Sequence, residues 1–385
     1  MIIIAHRGNL IGPNSKHENT QFIAQKAIDL HFDVELDLWE TDNDDWWFGH
    51  DCPESIIPKS FILEHKNHIW IHAKTGQTLQ LALDNKLKCF YHNVDDFTLT
   101  SNGCIWRYPR NDLPISRDTV VVLPETNCNN QIPHSNLETM LHEARAVCTD
   151  YPILLRTAFS TIHPNDIWLQ GLELESVYNE IANRTITEFR YDSFATDDLR
   201  RCVAVFSDYE LDKQFDSIAN YLKSECGEQC IYTLEKSSQN NRGTLHFTWM
   251  QLSDFEYCSK NGISLETLKN FENIVQNNNV YTYFQFIVFH KVLLLPNCII
   301  LVGYPSWNIL KWRQYIRDQH YEHFHEPHSQ NIVHSTLVRF TQPMANPSKI
   351  VADIQKMLPL KLLLKPKQVS KCSWTMGSEI ERNME

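Results

Sequence analysis

No run of about 18 apolar residues, the length a helix needs to cross a bilayer, occurs in the chain. The longest apolar stretch, FQFIVFHKVLLLPNCIILVGY, is interrupted by His290, Lys291, Pro296 and Asn297. The start of the chain has neither a charged n-region nor an A-x-A cleavage pattern, so no secretory leader is expected. Cys-x-x-Cys pairs are missing too. The eleven cysteines are scattered and odd in number, which argues against a disulfide framework and a zinc ribbon. The nearest spacing, CGEQC at 226–230, reads as a surface loop with two free thiols. Basic residues are in deficit, 35 Lys and Arg against 47 Asp and Glu for a net charge of −12, so the molecule as a whole is not drawn to phosphate backbones or anionic lipid. There is no low-complexity tract and no fixed-period repeat. These absences lead to the expectation of a soluble, cytoplasmic protein with no membrane partner and no predictable protein partner.

What is present describes a folded chain. Hydrophobic residues make up 42% and aromatics 11%, with ten Trp, and 385 residues call for two or three domains. Residues 1–155 alternate short β-like runs (IIIAH, FDVELDL, IWIHA, KCFYH, GCIWRY, TVVVLPE, AVCTDYP) with helix-like or loop stretches. This pattern favours a parallel sheet with outer helices, and both an open sheet and a small barrel fit it. Residues 156–239 read as a linker or helical segment, with helices in PNDIWLQGLELESVYNEIANR and DKQFDSIANYLKSEC. Residues 240–385 read as α+β, with TLHFTWMQL, YTYFQFIVF, CIILVGY and VHSTLVRFT as strands and SLETLKNFENIVQ, SWNILKWRQYIRDQH and PSKIVADIQKML as helices.

The N-terminal region concentrates chemistry-bearing residues at the ends of its predicted strands. In order these are His6-Arg7-Gly8, Glu18 in GPNSKHENT, Glu35-x-Asp37, His50 in GHD, and His72-Ala73-Lys74. On a strand, residues two apart share a face, so Glu35 and Asp37 converge on one spot, as the first ligands of a metal site would.

This set resembles the glycerophosphodiester phosphodiesterase family, whose domain opens with an HRG strand, an ENT turn, an E-x-D strand and an HD loop. The resemblance spans about residues 1–155 and implies an abbreviated α/β, TIM-type barrel, shorter than the roughly 200 residues such barrels need. It implies a divalent metal (Mg, Ca or Mn) on Glu35 and Asp37, supported by Glu18, with Arg7 and Lys74 on the phosphate and His6 and His50 as the acid–base pair. The family's third acidic ligand, in an E-x-K, is here His72, and imidazole suits Mn or Zn better than Mg or Ca.

In the C-terminal region two strands carry His-x-Thr: His246 and Thr248 in GTLHFTWMQL, and His334 and Thr336 in NIVHSTLVRF. Each places one imidazole and one hydroxyl on a common face. The pair resembles the 2H phosphoesterase superfamily, LigT-like and cyclic phosphodiesterase-like proteins, over about residues 240–365. That resemblance implies a bilobal α+β fold with one motif per lobe, no metal, His246 and His334 as base and acid, and Thr248 and Thr336 on the phosphate. The cluster QHYEHFHEPHSQ just before the second motif reads as a solvated or substrate-edge loop.

The expected protein is therefore multidomain, and both halves point to a phosphodiester bond. The substrate is a small-molecule or nucleotide phosphodiester, with a cyclic phosphate on a ribose leading for the second domain. The rival expectations are an N-terminal domain that binds without turnover and a second domain that processes RNA termini.

Overall fold

Short β-branched runs are stiff at χ1 and pack well on a pleated surface, and those of the first half all become strands. The computed structural model describes residues 1–42, 45–93, 95–108, 115–127, 143–161, 163–191, 199–206, 213–227, 230–232, 246–253, 285–320, 331–364, 369–375 and 381–383. The chain divides into two compact units, Met1–Leu169 and Gln170–Glu385. The first therefore extends past the boundary expected at 155. The helix Pro152–Phe159 explains the extension, because Ile153, Leu154, Leu155 and Ala158 are all buried.

The strands of the first unit are β1 (Ile2–Ala5), β2 (Asp33–Asp42), β3 (Asp45–Phe48), β4 (Ser55–Pro58), β5 (Ile69–Ala73), β6 (Lys88–Phe90), β7 (Phe97–Leu99), β8 (Ile105–Arg107), β9 (Thr119–Val122) and β10 (Ala146–Thr149). They form one sheet whose parallel portion runs β6-β5-β2-β1-β10-β9-β8. A hairpin, β3-β4, extends the far end of β2, and β7 lies antiparallel on β8. β8 has β9 on one edge and β7 on the other, so a closed barrel needs a ladder between β6 and β7, and none joins them among the described residues. A ring stack and a backbone hydrogen bond link the two ends: the rings of Phe90 and Trp106 stack with centroids 4.2 Å apart, and the Ser101 amide donates to the Cys89 carbonyl at 2.8 Å. Ile4, Trp70, Val120 and Cys148 pack in the same cluster.

The alternation in β2 buries both faces of the strand. Val34, Leu36 and Leu38 are fully buried on one side, while Glu35 and Asp37, 2% and 1% exposed, are buried on the other. A parallel sheet covered on both faces accounts for this. At the N-terminal ends of the strands, Asp33 accepts from His68 Nδ1 (3.0 Å), Trp70 Nε1 (2.9 Å) and Lys88 Nζ (3.1 Å). This cluster ties β2 to β5 and β6 away from the remaining charged groups. Asp33→Ala is expected to lower the stability of the first unit by about 2–3 kcal/mol, read as a shift in urea midpoint.

Among the described residues the second unit has two antiparallel sheets. One orders β13 (His246–Ser253), β11 (Leu199–Phe206), β18 (Val369–Thr375) and β19 (Glu381–Asn383); the other orders β12 (Cys230–Tyr232), β16 (His334–Phe340), β15 (Cys298–Pro305), β14 (Gln285–Leu295) and β17 (Leu360–Leu364). Helices Pro164–Ala182, Lys213–Cys226 and Pro347–Lys356 supply Leu174, Tyr178, Ile218, Leu222, Ile350 and Ile354 to its core.

Two expectations change here. Cys226 ends a helix and Cys230 opens β12, and both are buried free thiols rather than parts of a surface loop. His290 and Lys291, which break the apolar run in sequence, lie within β14 and are neutralised by Glu175 of the helix Pro164–Ala182. The helix expected in SLETLKNFENIVQ and the histidines 323, 325 and 328 lie outside the described residues. Among the described residues, no helix is long and apolar enough to cross a membrane.

Candidate active site

Parallel strands end together, and the loops leaving their carboxyl ends gather in one place. His6 and Arg7 follow β1 in a short 3₁₀ turn, Glu35 and Asp37 sit in β2, His72 and Lys74 at the end of β5, and Asp150 just past β10. The parallel register sets Asp37 directly opposite His72, and the His72 Nδ1 to Asp37 Oδ1 distance is 2.8 Å. Lys74 Nζ reaches the same oxygen at 3.0 Å. On the other side of the carboxylate, Asn19 Nδ2 donates to Oδ2 at 3.1 Å and Arg7 Nε lies 3.3 Å from it. Burial pushes the Asp37 carboxyl up, but the His72 hydrogen bond and the charges of His72, Lys74 and Arg7 hold it well below the usual carboxylate range.

Arg7 takes a left-handed backbone (φ 52°), sparsely populated for a residue with a side chain. The reason is local. In that conformation its amide donates to Glu35 Oε2 at 3.0 Å while its Nη1 donates to Glu18 Oε2 at 3.3 Å. Gly8 follows at φ 81°, where a Cβ would lie 2.6 Å from Ile23 Cγ2, so only glycine fits. Glu18 is a support rather than a direct partner of Glu35 and Asp37: it accepts from Arg7, from Asn9 Nδ2 (2.9 Å) and from the Asn14 amide (3.1 Å).

His6 is buried, with Nδ1 2.8 Å from Asp150 Oδ1 and Nε2 4.0 Å from Glu35 Oε2. Asp150 also accepts from Asn9 Nδ2 at 2.8 Å. An ionised carboxylate on Nδ1 fixes the Nδ1–H form and leaves Nε2 to face the site. Burial alone would lower the pKa of His6, but the Asp150 hydrogen bond and the charge of Glu35 overcome it and raise the pKa above the ordinary value. Behind Asp150, Glu125 accepts from the Asp150 amide at 2.7 Å and from the Thr149 hydroxyl at 3.0 Å. Burial and the charge of Asp150 push Glu125 up to about 7. Glu35 is raised by burial and by its neighbour Asp37. His50 is exposed, pairs with Asp51 at 2.7 Å, and its pKa is lowered by desolvation and by the charges of Arg7 and Lys74, against the opposing charges of Asp37 and Asp51.

Glu35, Asp37 and His72 each present one ligand atom within 4.8 Å of the others, two oxygens and a nitrogen. That donor set fits a small divalent cation and suits Mn or Zn better than Mg or Ca.

The structure thus gathers Glu18, Glu35, Asp37, His6, Arg7, His72 and Lys74. Five further residues had not been singled out: Asn9, Asn19, Asp150, Glu125 and His92. Asn19 stands inside ENT and Asp150 inside VCTDYP, so each lay in a quoted motif. His92 stacks on His72 (centroids 4.6 Å apart, planes 6° apart) and is lowered to about 4 by burial and the neighbouring His72 and Lys74.

In the second unit, β13 and β16, the two strands that open with His-x-Thr, lie against each other. Phe247, between His246 and Thr248 on β13, is fully buried. Beyond their backbone positions, the side chains of His246 and Thr248 are outside the described residues. Thr336 is buried and His334 half-buried on β16, paired in register with Ile300 and Val302 of β15.

No family model matches the chain, and no curated protein does. About half of the chain is similar to solved phosphoesterase and phosphodiesterase structures. A crystal structure titled phosphoesterase aligns over 49% of this chain and 97% of its own, at 12% identity and a TM-score of 0.32. The MHV ns2 PDE domain aligns over 48% and 97%, at 15% identity and 0.27. Usb1 of Kluyveromyces marxianus aligns over 49% and 97%, at 7% identity and 0.28.

Proposed function

We propose that the chain is a phosphodiester hydrolase with one site in each unit. The observation that carries this reading is the buried set at the strand ends of the first unit, where the carboxylates of Glu35 and Asp37 and the imidazole of His72 meet the cations Arg7 and Lys74 beside a His6–Asp150 pair. A phosphodiester is an anion whose cleavage builds further charge on oxygen, so it needs cations for grip and a placed proton for the leaving group. Arg7 and Lys74 supply the grip. His6, its pKa raised and its ring fixed by Asp150, is the acid that gives the leaving alkoxide a proton from Nε2, and His50, its pKa lowered, is the complementary base. A divalent cation held by Glu35, Asp37 and His72 supplies Lewis-acid stabilisation when bound.

In the second unit the apposition of β13 and β16 supports a metal-free site of the 2H kind, with His246 and His334 sharing acid and base roles and Thr248 and Thr336 binding the phosphate. A cyclic or nucleotide phosphodiester, including an RNA terminus, is its substrate class. A second reading, in which the first unit binds a phosphodiester without turnover, is favoured by the engagement of Asp37 with Lys74 and His72.

The test is turnover of a panel of linear and cyclic phosphodiesters, with and without chelator, on wild type, Glu35→Gln and His334→Ala. Chelator-sensitive turnover is expected to fall in Glu35→Gln and chelator-resistant turnover in His334→Ala. Only the second loss would support the binding-module reading. No cleaved diester in any arm, or both activities unaffected by both substitutions, overturns the assignment.

A further inference from the structure

A carboxylate has about four lone-pair positions, and at Asp37 hydrogen bonds and ion pairs crowd both oxygens. Oδ1 has His72 Nδ1 at 2.8 Å and Lys74 Nζ at 3.0 Å; Oδ2 has Asn19 Nδ2 at 3.1 Å and Arg7 Nε at 3.3 Å. The two oxygens differ in how firmly their partners are held. Arg7 is tied by two hydrogen bonds, its amide to Glu35 and its Nη1 to Glu18, and its Nε lies within ion-pair range of Asp37 without a hydrogen bond. Asn19 is locked reciprocally, since its own Oδ1 accepts the Asp37 amide at 2.9 Å. Lys74 is anchored through its backbone amide, which donates to the Leu38 carbonyl at 2.8 Å, while its flexible side chain ends on Oδ1. Oδ1 is therefore the exchangeable oxygen, and Lys74 is its exchangeable partner.

A divalent cation and an ammonium on one carboxylate oxygen repel each other strongly in a buried site. We propose that Lys74 is a built-in counter-ion that occupies Asp37 in place of a divalent cation, and that its displacement by the cation frees its ammonium for the oxyanion of a phosphodiester. This rests on the reading that the first unit takes both ligands. It makes cation and oxyanion uptake cooperative: Lys74 is neutralised by Asp37 when neither is bound, and phosphate finds an unpaired ammonium only once the carboxylate is taken. Linkage then requires the effect to be reciprocal, with phosphate tightening the cation by the same factor that the cation tightens phosphate.

The experiment is calorimetric titration of the full chain with Mn(II), alone and with saturating inorganic phosphate, on wild type and Lys74→Met, with Lys74→Gln as the polar variant should Met disturb folding. Removing the competitor is expected to tighten Mn(II) alone by about tenfold, within the range of measured site couplings. Phosphate is expected to tighten Mn(II) in wild type by a similar factor and in the variants by much less. Mn(II) affinity that is unchanged or weaker in both folded variants, or no Mn(II) binding by any of the proteins, overturns the proposal. The readout is binding, so a chain that behaves as expected here yet cleaves no diester would remove the proposed activity and leave the counter-ion role standing.

Discussion

Asp150→Asn is expected to lower the chelator-sensitive kcat by about 10²–10⁴-fold, the range over which a well-placed acid or base contributes, with a much smaller change in KM. Asp150 touches neither Glu35 nor Asp37 in the described contacts; its carboxylate meets His6 and Asn9, its amide donates to Glu125 and its carbonyl accepts from the Gly12 amide. Its effect passes through His6. The carboxylate holds the proton on Nδ1 and presents Nε2 to the site, whereas an asparagine amide can turn its NH₂ to Nδ1 and stabilise the opposite tautomer. It also removes the charge of Asp150 and alters its hydrogen bond, two of the three influences that lift the His6 pKa against burial, the third being the charge of Glu35. The substitution should therefore move the pH limb due to His6 to lower pH as well as depress the plateau. A merely structural residue would lower both kinetic constants and leave the limb in place, so an unshifted limb would sink the positioning role. Unaltered kcat would sink it outright.

Glu175→Ala is expected to cost the second unit about 3–5 kcal/mol, the usual penalty for breaking a buried ionic network from one side. Glu175 is 1% exposed and serves three partners at once: His290 Nε2 at 2.9 Å, the Tyr304 hydroxyl at 2.8 Å, and the Lys291 ammonium. Tyr304 and His290 also stack, with centroids 3.8 Å apart. Removing the carboxylate leaves a buried imidazole and phenol without their acceptor and the Lys291 charge without its counter-ion.

The same network sets an acid limit. Burial raises the Glu175 pKa, but the hydrogen bond from His290 and the charges of His290 and Lys291 bring it down from 4.5 to about 2. A carboxyl depressed on folding stabilises fully above its unfolded pKa, and the contribution is lost as pH falls through the folded value. The window is therefore 4.5 down to about 2, and the amount is about 3 kcal/mol at 1.36 kcal/mol per unit. His290 acts in the same direction, because burial lowers its pKa below 6.5 and protonation on the way down favours the unfolded chain. Urea unfolding at pH 7 and pH 3 should show a large acid loss in wild type and a smaller one in Glu175→Gln. Equal losses in the two proteins would show that Glu175 does not set the limit.

Much of the first unit could be read from local pattern. Each of the seven β-like runs from IIIAH to AVCTDYP contains a strand, because a run of β-branched residues bounded by polar turns has few other ways to bury itself. The same holds for the helices Lys213–Cys226 and Pro347–Lys356, and for β13 and β16. Among the strands that local pattern did not disclose, β11, β12 and β17 have partners far along the chain, whereas the short β3, β4 and β7 pair with near neighbours. Leu199–Phe206, for instance, pairs with Val369–Thr375 and with His246–Ser253. CGEQC shows the converse limit, since spacing describes how far apart two thiols are and not which side of a helix end is covered.

Glu35 and Asp37 face one way because a strand has a period of two, and that needs no tertiary information. The chain's own order also determined that an arginine, two carboxylates and several imidazoles would lie in or just after strands. Only the tertiary structure decided which of them meet. His72 faces Asp37 because β5 runs parallel to β2 in one register, and a shift of one residue would turn it to the opposite face. Asp150 reaches His6 across 144 residues because β10 closes on β1. Strand neighbours are chosen by the burial of the whole sheet, a global balance that no short window contains, so the partners that tune each group's charge appear only when the sheet is assembled.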